Sequence, residues 1–425
     1  MRCFHLVSMV SGLSCFFFLT GLQADQNQKK QKKAPFFLSM STTTETYERL
    51  MWQMDLEVNP TDVLSEVVAA GKRMYQWIDH INTIRDPDAA ISISDPTSIA
   101  VYPIDEYRFS NREIVRANFD AFFDVAPEWF AKVVFDGTPF TDKVPVSLSE
   151  FAQIGREMDT IYRAASRWLL QEPYLISYIQ RKDEDVRGYY HLTRVNDLQE
   201  ELASWSSLTD ERKKQMRSWL VGLCTNSSTL FGTSCARQFD RALDSGGLWE
   251  FYSQKLPGGK KTWDSFYGIR GVRSDIVWGS SDPQTMTIPF KNPQDTEVES
   301  FLVDNLADEY QWDGWAMKLD FVSDGSVPYI RFIDGATPNV NGLGGNRITM
   351  DSSVPLTDYA VNWTIRHEFG HVLGWKDCYV EFYDSEEEHM VYYQLDVDDL
   401  MCSRRGKFQQ RHFDELKETY FTGRN

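Results

Sequence analysis

The stretch H-E-F-G-H-V-L-G-W-K-D, His367 to Asp377, concentrates groups that can hold a metal ion and move a proton. On a helix, residues four apart lie one above the other, so His367 and His371 present two imidazoles on one face. A catalytic zinc ion takes three protein ligands and keeps a fourth position for water, which leaves one ligand to find. Glu368 stands on the adjoining face, near such an ion without binding it, where it can accept a proton from an activated water. The chain has only 7 histidines. An H-E-x-x-H pattern therefore arises by accident in on the order of one such chain in a hundred, which disfavours two histidines merely hydrogen-bonded inside a buried helix.

Gly374 follows His371 by three residues and can adopt the left-handed conformation that ends a helix and turns the chain back. The turn brings Asp377 towards the metal position, and a carboxylate oxygen binds zinc at about 2.0–2.2 Å. A carboxylate places negative charge beside the ion and makes the bound water less acidic, so the base Glu368 becomes more necessary. Two other residues compete for the third place: His389 in the run D-S-E-E-E-H (Asp384 to His389), itself read as a solvated loop, and Glu381.

This segment resembles the extended H-E-x-x-H-x-x-G-x-x-H/D signature of the metzincin metallopeptidases, and its aspartate is similar to that of the small secreted snapalysin-type enzymes. The resemblance covers roughly residues 275 to 425. It implies a methionine in a tight turn beneath the zinc, and D-D-L-M-C-S (Asp398 to Ser403) supplies Met401. It also implies an edge strand that holds extended substrate, which falls near Gly335 to Gly345. Many of these enzymes place a tyrosine two residues after the methionine; here that position is Ser403.

The elements around the motif fit an α+β fold. Thr285–Phe290, Ala316–Val322, Val327–Ile333 and Arg347–Asp351 read as strands, with an amphipathic helix over Thr296–Gln311 between the first two. A terminal helix spans about Gln410 to Thr419. The expected catalytic domain, residues 275–425, is metzincin-like: a twisted mixed sheet, an active-site helix, a methionine turn and a C-terminal helix. Before it, residues 44–256 form a mostly α-helical domain, with apolar residues at helical spacing in Thr61–Ile78, Ser147–Ala165 and Asp197–Val221. The run S-L-S-E from Ser147 reads as a capping box. L-P-G-G-K-K, Leu256 to Lys261, reads as a turn that closes this domain.

At 425 residues, 42% hydrophobic and 14% aromatic, the chain can bury a sizeable core. Its net charge of -18 excludes a nucleic-acid partner, because phosphate binding needs clustered Lys and Arg. Residues 1–24 resemble a secretory signal cleaved after Ala24, and residues 25–43 a flexible lead-in. The apolar run is short of the about 20 residues of a membrane span, so no stable span is expected, although Lys29 to Lys33 keep an uncleaved anchor open. Four cysteines then remain; export favours the disulfides Cys224–Cys235 and Cys378–Cys402 over free thiols. The second would tie the third-ligand turn to the methionine turn.

The expected function is a secreted zinc endopeptidase with one catalytic Zn2+, held by His367, His371 and Asp377, with Glu368 as general base and a protein or peptide as substrate. Gly374 and Met401 support the site. The helical domain is either a propeptide, with Cys224 or Cys235 on the zinc as one version, or a retained accessory part. The rival is a non-catalytic binding or adhesion protein with a vestigial zinc site.

Overall fold

The computed structural model describes residues 61–86, 91, 93, 101–227, 232–279, 284–333, 336–352, 356, 359–403 and 405–422. Residues 1–24, read as a secretory signal with Cys3 and Cys15 inside it, and residues 25–43, read as a lead-in, lie outside them. Among the described residues, no helix is long and apolar enough to cross a membrane.

The fold is mixed α+β. Its first half is helical: Ser65–Thr83, Arg112–Val125, Glu128–Val134, Leu148–Gln171, Leu175–Gln180, Arg187–Leu192, Leu198–Ala203, Asp210–Ser227, Gly232–Asp244 and Leu248–Asp264. Ser147 caps the long helix Leu148–Gln171, its Oγ accepting the Glu150 N–H at 3.2 Å, as the S-L-S-E pattern predicts. A strand that the helical periodicity conceals, β1 (Arg108–Ser110), interrupts the series.

L-P-G-G-K-K does not form a turn. The helix Leu248–Asp264 runs through it, with Pro257 inside. Its glycines serve close helix packing: a Cβ on Gly258 would overlap Ser227, and one on Gly259 would overlap Leu223, both on Asp210–Ser227. Asn226 completes this seam, its carbonyl accepting the Thr262 hydroxyl at 2.9 Å.

The second half carries β2 (Val277–Trp278), β3 (Thr285–Lys291), the helix Thr296–Leu302 with its π-helical extension Val303–Ala307, β4 (Gln311–Trp312), β5 (Trp315–Val322), β6 (Tyr329–Ile333), β7 (Asn339–Val340) and β8 (Arg347–Asp351). One sheet has the order β2-β3-β5-β4, with β3 and β5 parallel. Another has the order β6-β8-β7: β8 runs parallel to β6 and antiparallel to β7, which is an edge strand. The helix Tyr359–Val372 follows, then β9 (Tyr379–Asp384), β10 (His389–Gln394) and the terminal helix Gln410–Tyr420.

The segment from Asp384 to His389 is a loop only at its tip. Ser385–Glu388 are exposed, while Asp384 and His389 pair at the ends of the antiparallel hairpin β9–β10. β1 adds to the far side of β10, so residues from the helical half complete this sheet.

Among the described residues, the buried apolar side chains gather into three cores. One gathers Leu64 to Tyr178 and also takes in Met390 of β10. A second lies between Leu192 and Tyr252 around the bonded pair Cys224–Cys235. The third joins the sheets to the helix Tyr359–Val372 through Met286, Ile288, Phe290, Ile365, Phe369 and Val372.

Candidate metal centre

The helix Tyr359–Val372 buries Ile365, Phe369 and Val372 completely against the sheets. That seating turns His367, Glu368 and His371 towards a cleft on its opposite side. Gly374 ends the helix with φ +101°. The Trp375 N–H reaches the Gly370 carbonyl and the Gly374 N–H that of His371, both at 3.1 Å, which is the Schellman pattern of bonds. A Cβ at Gly374 would also come within 2.6 Å of the Gly271 carbonyl oxygen.

The reversed chain places Asp377 against both imidazoles. Its Oδ1 lies 2.9 Å from His367 Nε2 and 3.4 Å from His371 Nε2. One donor atom from each of the three residues falls within 4.8 Å of the others. The remaining ring nitrogens are engaged elsewhere: His367 Nδ1 with the Leu400 carbonyl at 3.1 Å, and His371 Nδ1 with the Trp375 carbonyl at 2.8 Å. Each Nδ1–H donates to a carbonyl, which fixes the tautomer that leaves Nε2 as a ligand lone pair.

Burial alone would lower the pKa of His371, but the Asp377 carboxylate overrides it and pushes the imidazole up to about 9. Burial likewise opposes the charge on Asp377, and the two histidines outweigh it, holding the carboxyl well below the usual range. Two imidazoles and a carboxylate, oriented through their outer atoms, suit zinc by ligand type and number.

Met401 supports the helix from below. A Cβ on Gly370 would overlap its sulfur, so the methionine fills the space a larger residue at 370 would need. The turn is tied at several points. Asp399 Oδ1 accepts the Met401 N–H at 2.7 Å, and the Met401 carbonyl accepts the Cys378 N–H at 3.1 Å. Asp399 itself is fully buried and ion-paired with Arg411. The disulfide Cys378–Cys402 joins the residue after Asp377 to the residue after Met401. Cys378, Asp399 and Cys402 also cluster as metal-type donors, but that disulfide and the Arg411 pair already engage them.

No family model, curated protein or solved structure matches this chain.

The other residues considered from the sequence lie elsewhere. Glu381 is buried and ion-paired with Arg167, and it also accepts a hydrogen bond from Gln171 Nε2 at 3.1 Å. His389 sits at the distal end of the hairpin, its ring 5.1 Å from that of Phe109. Cys224 and Cys235 bond to each other within their own core, so neither is a thiolate for the metal. Ser403 is buried, its Oγ accepting the Arg405 N–H at 3.1 Å, and it does not line the cleft.

The cleft encloses about 500 Å³. Beside the metal-type residues it is lined by Asn339 and Val340 of edge strand β7, by Leu343 and Phe266, and by Gln180, Arg181 and Glu184 from the helical half. Tyr379 also faces it, and reasoning from the sequence passed over this residue. Burial, reinforced by the nearby Asp377 charge, raises its phenol well above 10, so it remains a hydrogen-bond donor. The signal was available: in extended chain, residue i+2 shares a face with residue i, and Tyr379 is two residues past Asp377.

Proposed function

We propose that this chain is a zinc-dependent endopeptidase of the metzincin type that acts outside the cell. The observation that carries the reading is the convergence of His367 Nε2, His371 Nε2 and Asp377 Oδ1, with both Nδ1 atoms held by carbonyls and Glu368 beside them in one cleft. Met401 beneath Gly370, the edge strand β7 on the cleft wall and the two disulfides support it further.

His367, His371 and Asp377 would hold the ion. When bound there, zinc acts as a Lewis acid towards a peptide carbonyl and makes water acidic enough to attack it. Glu368 accepts the proton of the attacking water and returns it to the leaving amine. The Tyr379 hydroxyl donates to the oxygen that gains charge as the carbonyl becomes tetrahedral. As an edge strand, β7 would pair with an extended peptide, whose side chains would alternate between the cleft and solvent.

The test is zinc content together with hydrolysis of casein or a peptide library, with and without chelator. The reading expects about one ion per chain and chelator-sensitive cleavage. A chain that holds zinc and cuts nothing would overturn it in favour of a binding protein with a non-catalytic site.

A further inference from the structure

The helical half is locked to the hairpin that starts two residues after Asp377. The strand β1 pairs with β10 in the register Arg108↔Tyr392, Phe109↔Val391 and Ser110↔Met390. Arg167 and Gln171, from the helix Leu148–Gln171, both bind Glu381 on β9, and the Arg167 and Glu381 side chains are almost wholly buried. Lys182 Nζ reaches Asp384 at 2.9 Å. The Tyr393 hydroxyl donates to Asp185 and accepts the Val186 N–H, both at 2.9 Å. Beside the ligand itself, Lys376 Nζ lies 3.3 Å from Glu184, and Glu184 with Arg181 and Gln180 lines the cleft.

We propose that the helical half is a permanent part of the metal centre: it positions Asp377 through the hairpin β9–β10 and forms the outer wall of the cleft. This rests on the assignment of Asp377 as a zinc ligand, and it decides between the two roles left open for these helices. A prosegment must be able to leave. Departure here would strip β1 from its sheet, expose Met390 and leave the buried Glu381 carboxylate without its guanidinium. Removing one partner of a buried ion pair is strongly unfavourable, because the remaining charge is left desolvated and uncompensated. The hairpin would have to shift to rehydrate Glu381, and Tyr379 and Asp377 lie at its root. Arg167 is thus a positioning residue that acts on the ligand through Glu381.

Zinc affinity of the full-length chain, measured by competition with a chromogenic chelator well below the melting temperature, tests this. Arg167→Met should weaken zinc binding by roughly tenfold or more, the scale seen when outer-shell support is lost. The double variant Arg167→Met/Glu381→Met removes the stranded charge and should recover most of that loss. The loss and the recovery should both appear at a temperature where all three chains are fully folded by circular dichroism, where a change in global stability alone leaves zinc affinity unmoved. Tyr393→Phe, which deletes two hydrogen bonds without stranding a charge, is the milder counterpart should Arg167→Met fail to fold; it should weaken binding by roughly two- to tenfold.

Wild-type affinity in both Arg167→Met and Tyr393→Phe overturns the proposal. A wild-type chain that holds zinc but cuts no peptide sinks the hydrolase reading and leaves this inference standing. A wild-type chain without zinc affinity overturns both.

Discussion

The proposed mechanism gives Glu368 and Tyr379 separable jobs, and two substitutions divide them. In the proposed mechanism Glu368 moves protons without holding the ion, so Glu368→Gln should leave zinc content unchanged while kcat falls by roughly a hundredfold or more. Peptide hydrolysis assayed beside metal analysis checks this, and Glu368→Gln with full turnover would falsify the base assignment. The proposed mechanism has Tyr379 interact with charge that exists only in the transition state. Tyr379→Phe should therefore lower kcat by roughly a hundredfold while KM barely moves, and an equal rise in KM would place its role in ground-state binding instead. The convergence of His367, His371 and Asp377 was legible in the sequence because one turn of helix and one reversal of the chain bring them together, so their spacing is local. The Leu400 and Trp375 carbonyls that set the imidazole tautomers were not legible, since every residue carries a carbonyl and only the folded turn selects these two.

Among the elements, the methionine turn and the helix above it give a prediction with an unexpected sign. Alanine is a better helix former than glycine by about 1 kcal/mol, so Gly370→Ala ought to stabilise on propensity alone. Its Cβ would overlap the Met401 sulfur, and overpacking a tight core costs about 1–3 kcal/mol. We expect the packing cost to prevail in urea unfolding, with a net loss of stability and weaker zinc binding as the turn is displaced. The disulfide Cys378–Cys402 closes a loop with a sequence separation of 24. Replacing both cysteines by serine should cost about 3 kcal/mol through the freed unfolded chain. Equal denaturation midpoints for the double variant and the oxidised wild type would contradict this. The strands β3, β5 and β8 and the terminal helix could be read closely because each carries an apolar period. The hairpin β9–β10 could not: with nearly every residue buried, it shows no alternation. The Pro-Gly-Gly sequence misled for a related reason, since glycine marks close backbone approach as well as turns, and only Ser227 and Leu223 opposite show which one operates.

For the whole molecule, the question is whether two halves that look separable in sequence melt as one. The hairpin belongs to two cores at once: Met390 falls in the apolar core of the helical half, while Val380, Phe382, Val391 and Tyr393 fall in the core that joins the sheets to the helix Tyr359–Val372. Strain or support at Asp377 therefore reaches the helices through residues a few positions away. Sequence periodicity could not show this coupling, because it reports which face of an element is apolar and never which neighbour covers it. Ligand binding to the native state stabilises by about 4 kcal/mol at a thousandfold excess over the dissociation constant. If the halves are one cooperative unit, that increment is shared. Scanning calorimetry should then show the unfolding of helices and sheets move upward together on adding zinc, and downward together on chelation. Hydrogen exchange in β1, more than 250 residues before the ligands in sequence, should slow when zinc is added. Two calorimetric transitions, of which zinc moves only the later part of the chain, with β1 exchange unchanged, would mean that the helical half is a passenger on the metal site and not its frame.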